Sequence, residues 1–140
     1  MLFNNPVWNL GRLYHALTRL QNQQHAEMQS GVTADQHRLL AHLWKKDGMC
    51  QYELAHFTGR DRAGITRMVD ILENAGFVER RADQRDRRLN LIYLTEAGHA
   101  LKPLAEQVDS QALSYLMQNF SPEEKATFIR LLEKAVQNFD

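Results

Sequence analysis

"DRAGITRMVDILENAGFVERRADQRDRRLNLIYL", Asp61 to Leu94, carries two periodicities in succession. In its first half Ile65, Met68, Val69 and Leu72 recur at i, i+3, i+4 and i+7, the stripe of an amphipathic helix. Asp61 stands where a helix cap belongs and Gly76 where a helix stops, so the spacing predicts a helix to about Asn74. In the second half, apolar and polar residues alternate on both sides of an arginine-rich turn. That pattern predicts two strands, Phe77–Arg81 and Leu89–Leu94, joined as a hairpin. The nine positions from Arg80 to Arg88 hold five arginines and two aspartates. A turn that concentrates so much like charge needs a negative partner. Arginine's planar fork suits phosphates and guanine edges.

Working upstream, Gln51 to Phe57 reads as a short helix with Leu54 and Ala55 inward, followed by a turn at Thr58–Gly59–Arg60. A short helix, a Gly-containing turn and a longer helix make a helix-turn-helix, whose second helix enters the DNA major groove. Residues 6–28 form a helix on Pro6, Val7, Leu10, Leu13, Leu17 and Leu20. Thr33 and Gln36 make a capping box for another helix through Leu39, Leu40, Leu43 and Trp44, stopped near Gly48. Downstream, Thr95 caps a long helix to about Asn119, with Leu101, Leu104, Ala105 and Val108 on one stripe. A kink is expected at Pro103, whose ring displaces the hydrogen bond to the His99 carbonyl. Ser121, Pro122 and Glu124 open a last helix carrying Phe128, Leu131, Leu132, Ala135, Val136 and Phe139. The fold class is therefore mainly α, a winged helix-turn-helix with a two-stranded β-wing.

With 140 residues, 44% hydrophobic and 24% charged, the chain fits one globular domain. It has no apolar run near the ~18 residues of a membrane span. The start lacks a signal-peptide pattern, and the single cysteine, Cys50, excludes an internal disulfide. A cytoplasmic protein without a membrane partner is expected. Net charge is zero, yet the basic residues of segment 49–94 are eight arginines and no lysine, while the segment after it is acidic. A basic patch on a neutral chain points to a localised anionic partner.

"DQRDRRLNLIYLTEAG" sets Asp83, Arg85, Asp86, Arg88, Leu94, Thr95 and Gly98 at the spacing Asp-x-Arg-Asp-x-Arg, an apolar strand, then Leu-Thr-x-x-Gly. It resembles the wing signature of the MarR family of bacterial transcription regulators, and the resemblance is clear from about Thr33 to Leu101. It implies a homodimer that binds double-stranded DNA, a repressor of a pseudo-palindromic operator. Residues 1–32 and 95–140 would build the helical dimerisation region around a DNA-binding lobe, 33–94. The resemblance further implies release by a small aromatic or phenolic ligand held between that region and the lobe. In the family the first aspartate braces the wing and the arginine two residues on touches DNA. These roles carry to Asp83, with Asp86 as a second brace, and to Arg85, with Arg87 and Arg88 nearby.

With its apolar stripe inward, the second helix turns Arg62, Ala63, Thr66, Arg67 and Asp70 outward, next to Gly64 and to Arg60 in the turn. Arg62 and Arg67 suit phosphates or guanine, Thr66 and Ala63 a thymine methyl. Ala63 and Gly64 depart from the hydroxyl residues usual in the family. Trp8, Tyr14, His15, His37 and Trp44 are candidates for lining a ligand pocket, and equally for core or dimer interface.

Cys50 falls where a Ser or Thr cap is expected; packing is the plain reading, oxidation-controlled regulation the sharper one. The six histidines read as scattered surface or interface residues: His37 and His42 are off the i, i+4 metal register, and no metal or cofactor is expected. No catalytic constellation stands out, so an enzyme is not expected. The competing functions are the same fold controlled by cysteine oxidation or by no effector, and an interaction module without DNA binding. The arginines speak against the last.

Overall fold

The computed structural model describes residues 4–140. Asn5 accepts from the Val7 N–H at 2.9 Å and opens α1 (Pro6–Glu27), whose proline occupies a position where no helical N–H is required. Thr33 and Gln36 cap each other reciprocally at the start of α2 (Ala34–Lys45). A two-residue strand, β1 (Met49–Cys50), leads into α3 (Gln51–Thr58). Gly59, at φ 67°, ends α3 in the left-handed conformation and turns the chain toward α4 (Arg62–Asn74). Then follow β2 (Val78–Ala82), β3 (Asn90–Leu94), α5 (Glu96–Ala100), α6 (Lys102–Leu116) and α7 (Pro122–Val136).

The wing is wider than the sequence pattern implies. β1 pairs antiparallel with β3, so the sheet has three strands in the order β1-β3-β2. Within it Arg80 faces Ile92 and Val78 faces Leu94. A two-residue strand carries no alternation, which is why periodicity misses it.

The expected long helix after Thr95 is interrupted. Pro103 has no N–H to give the His99 carbonyl, and the chain passes from α5 to α6 through Leu101. Thr95 both accepts from the Gly98 N–H and donates to the Gly76 carbonyl at 2.5 Å, tying the end of α4 to the start of α5. Gly98 is held by space: a Cβ there would lie 2.1 Å from the Phe77 carbonyl oxygen. The Trp44 indole N–H donates to the Gly98 carbonyl at 3.0 Å, closing the joint between α2 and α5. These contacts supply a physical reason for Thr95 and Gly98 in the Leu-Thr-x-x-Gly pattern.

The core gathers Leu39, Leu40 and Leu43 of α2, Leu54 of α3, Ile65, Val69 and Leu72 of α4, and Val78 and Ile92 of the sheet, each almost fully enclosed. It fixes the pose of α4. α1 packs on α2 and α6 through its middle and end, whereas Val7, Trp8 and Leu10 remain exposed. Along α7, Leu131, Leu132 and Val136 are also about half exposed, as is Phe139 beyond it almost completely.

The reading of the histidines as scattered surface or interface residues is corrected. His25 and His37 are 1% and 3% exposed and lie in a polar chain across the joint of α1, α2 and α6. His25 Nδ1 is 2.9 Å from Ser30 Oγ, His25 Nε2 is 3.0 Å from His37 Nδ1, and His37 Nε2 is 3.3 Å from an Asp109 carboxylate oxygen. The last contact directs the His37 Nε2 proton toward Asp109. In the neutral ring this leaves His37 Nδ1 to accept from His25 Nε2–H. Burial, then His37, lower the His25 pKa, while Asp109 opposes them. Residues twelve apart on different helices leave no local pattern to reveal such a pair.

Candidate nucleic-acid interface

The presentation of α4 begins at its cap. The Asp61 carboxylate accepts from the Gly64 N–H at 2.7 Å, and a Cβ on residue 64 would sit 2.9 Å from that carboxylate oxygen. The glycine that departs from the family's hydroxyl residue therefore makes room for the cap. Ile65, Met68, Val69 and Leu72 are buried, which turns Arg62, Ala63, Arg67 and Asp70 to solvent. Thr66 is half-buried, and its hydroxyl is already engaged. It donates to the Arg62 carbonyl at 3.0 Å and accepts from the Gln51 side-chain amide at 3.1 Å. Its methyl and a lone pair remain for a base edge.

The two aspartates of the wing do the same local job twice. Asp83 accepts from the Arg85 backbone N–H at 2.9 Å, and Asp86 from that of Arg88 at 3.0 Å. Such side-chain-to-backbone bonds two residues on replace a turn's missing partners. The hairpin is closed by Asp83 N–H to the Leu89 carbonyl and Leu89 N–H to the Asp86 carbonyl.

The arginines divide into two groups. Arg60 pairs with Asp35 at 2.7 Å, Arg81 with Glu79 while lying over the Tyr93 ring, and Arg88 with Asp86. Arg80 pairs with both Asp70 and Glu73. Among the described residues, the exposed side chains of Arg62, Arg67, Arg85 and Arg87 have no ion-pair partner. Two of these lie on α4 and two on the wing tip. Arg62 and Arg88 line one cleft of about 270 Å3, together with Cys50, Gln51, Tyr52 and Asn90. A second groove, of about 330 Å3, is lined by Arg60, Ala63, Gly64 and Arg67. Helix and wing thus present guanidinium groups beside openings wide enough for a phosphate.

Two expectations about this face change. Asp70 is not a free outward carboxylate, because Arg80 holds it at 2.6 Å. Arg80 does not point out with the rest of its run. Nothing local in an arginine-rich stretch marks one member as turned inward; the outward carboxylates at 70 and 73 are the remaining sign.

The five residues considered for a ligand pocket do not meet in one. His37 and Trp44 line a cavity of about 260 Å3 between α2 and α6, with Ala41, Lys45, Lys102, Glu106 and Asp109. Tyr14 lines a different cavity, of about 520 Å3, with Arg38, His42, Phe57 and Arg60. Trp8 and His15 lie exposed on α1 and line neither. One helix face cannot serve both openings: α1 turns Tyr14 toward Arg38, whose guanidinium donates to its hydroxyl at 3.2 Å. In the Tyr14 cavity His42 stacks on Phe57, and burial followed by Lys45 lowers its pKa. Cys50, at the cap position of α3, donates its backbone N–H to Glu53 at 3.3 Å. Among the described residues no helix is long and apolar enough to cross a membrane.

Comparison with known proteins places these features in context. A family model described as "MarR family" matches residues 32–89. The multiple antibiotic resistance protein MarR of Escherichia coli is 31% identical over 135 residues, covering 94% of each chain. An uncharacterized HTH-type transcriptional regulator of Bacillus subtilis, YybA, is 24% identical over 98% of this chain and 90% of its own. Among solved structures, a MarR transcriptional regulator from Methanosarcina mazei superposes with a TM-score of 0.87. It is 25% identical, with 93% of this chain and 92% of that one covered.

Proposed function

Because this chain belongs to the MarR family, whose members are transcriptional regulators and not enzymes, we propose that it works as a homodimeric repressor on a pseudo-palindromic DNA operator. α4 enters the major groove, with Arg62 and Arg67 on phosphate or guanine and Ala63, Gly64 and Thr66 near base edges. The wing tip brings Arg85 and Arg87, flanked by Arg88, to the adjacent minor groove, whose negative potential attracts arginine. One observation carries this reading: the unpaired guanidinium groups lie on both α4 and the wing, and Arg62 shares a cleft with wing residue Arg88. An interaction module has no use for cations left unpaired beside phosphate-sized openings.

Dimerisation is supported by the apolar residues that one chain leaves exposed at its two ends, Val7, Trp8 and Leu10 with Leu131, Leu132, Val136 and Phe139. Pairing those ends about a two-fold axis would place two copies of α4 roughly 34 Å apart on one DNA face. A small aromatic or phenolic effector fits the cavity between α2 and α6, where Trp44 offers a ring and His37 a polar edge. That cavity spans the joint whose angle sets the lobe's position. A second reading, control by oxidation, has one observation in its favour: Cys50 lines the cleft shared by Arg62 and Arg88.

Gel-shift titration against the DNA flanking the protein's own gene, repeated at several salt concentrations, tests the function. Binding that weakens steeply with salt supports it. No binding at low salt refutes it. Peroxide that releases DNA from the wild type and not from Cys50→Ser would move control from ligand to thiol.

A further inference from the structure

Arg80 begins the arginine run, yet its side chain crosses from β2 to the helices. Its backbone N–H and Nη1 both donate to the Glu73 carboxylate, each at 2.9 Å. Nη2 reaches Asp70 at 2.6 Å and the Thr66 carbonyl at 3.4 Å, while Nε donates to the Gln51 side chain at 3.2 Å. Gln51 in turn donates to the Thr66 hydroxyl. One guanidinium therefore ties the wing strand, three successive turns of α4 and the first turn of α3. The side chain is 20% exposed, and two carboxylates face its single charge.

We propose that Arg80 is a positioning residue for operator recognition: it fixes the separation and angle between α4 and the wing, so that major-groove and minor-groove contacts engage together. This rests on the DNA-binding reading above and deepens it. Charge is not what Arg80 offers DNA, since Asp70 and Glu73 already neutralise it. Its value lies in the fork, whose donors diverge in one plane and reach four separate acceptors at once. An ammonium presents its three protons at a point and cannot span them. By holding Asp70, Arg80 also keeps a carboxylate on the outward face of α4 from meeting phosphates bare.

The test is Arg80→Lys, which keeps the charge and removes the fork. Two probes are used: a duplex selected by the wild-type protein from a random-sequence pool, and the unselected pool. Expected is a loss on the order of tenfold for the selected duplex, from breaking a part-buried charged network. Affinity for the unselected pool stays within about twofold and the salt slope is unchanged, because phosphate neutralisation is the same. Wild-type discrimination in Arg80→Lys would overturn the proposal. So would equal losses on both probes with a salt slope reduced by about one, the mark of a phosphate contact. A wild type that binds the unselected pool but shows no preference leaves DNA binding intact and removes Arg80's role. Should Arg80→Lys not melt cooperatively, Gln51→Met replaces it. That variant cuts the α3 arm without touching charge and should lower discrimination in the same direction; unchanged discrimination overturns the proposal.

Discussion

Removing one unpaired guanidinium from the wing should change how DNA affinity responds to salt, and removing a paired one should not. The chain exposes Arg62, Arg67, Arg85 and Arg87 without ion-pair partners, which makes about eight cations in a dimer. At about 0.9 counterions released per neutralised phosphate, the slope of log affinity against log salt is about −7, or roughly four decades lost between about 50 and 200 mM. Arg85→Gln deletes two of those contacts per dimer and should bring the slope about 1.8 closer to zero. The control is Glu79→Gln with Arg81→Gln, which removes an internally balanced pair stacked on Tyr93. Its slope should match the wild type. Fluorescence anisotropy on a labelled duplex over a salt series reads both. An unchanged slope for Arg85→Gln, or an equal change in the control, would refute the division of the arginines into presented and paired groups.

Stability should also depend on pH through the buried histidines. The folded protein lowers the His25 pKa, chiefly by burial, so the unfolded chain binds the proton more readily. This contribution is full above the ordinary histidine value of 6.5 and is lost as pH falls through the lower folded value. His42 is shifted the same way and adds to it. Thermal melts at about pH 7.5 and about pH 5.5 should show a drop in midpoint that His25→Gln reduces; a steeper drop in the variant would contradict the assignment. Gly98→Ala pushes a methyl to 2.1 Å from the Phe77 carbonyl and should cost about 1–3 kcal/mol in urea unfolding, whereas an unchanged midpoint would mean that α5 moves freely. Asp61→Ala leaves the Gly64 N–H without its cap and should cost about 1 kcal/mol by the same measurement. A loss confined to DNA affinity would show that Asp61 acts on DNA and not on the helix.

The elements with a repeating pattern were legible in the sequence, and those made by single contacts were not. α4 and its cap follow from Asp61 and the stripe Ile65, Met68, Val69 and Leu72, because burial of one helix face imposes its period on the residues. The hairpin and its arginine tip follow from alternation in the same way. β1 escaped because two residues have no period, and its pairing with β3 is set by tertiary packing. The His25–His37 pair and the inward turn of Arg80 escaped for another reason. Each depends on partners far along the chain, Asp109 for the first and Gln51 for the second, and composition around them gives the opposite impression. Candidate pocket residues were chosen by type, and type does not say which face of α1 meets α2. Tyr14 and His37 consequently open on different cavities.

Hydroxyl-radical footprinting on the selected duplex addresses the joint placement of helix and wing most directly. Two protected half-sites, related by a two-fold axis and centred about one helical turn apart, are the expected pattern. Each should carry minor-groove protection at its outer edge that Arg85→Gln with Arg87→Gln erases. A single protected patch, or protection indifferent to those substitutions, would contradict the account.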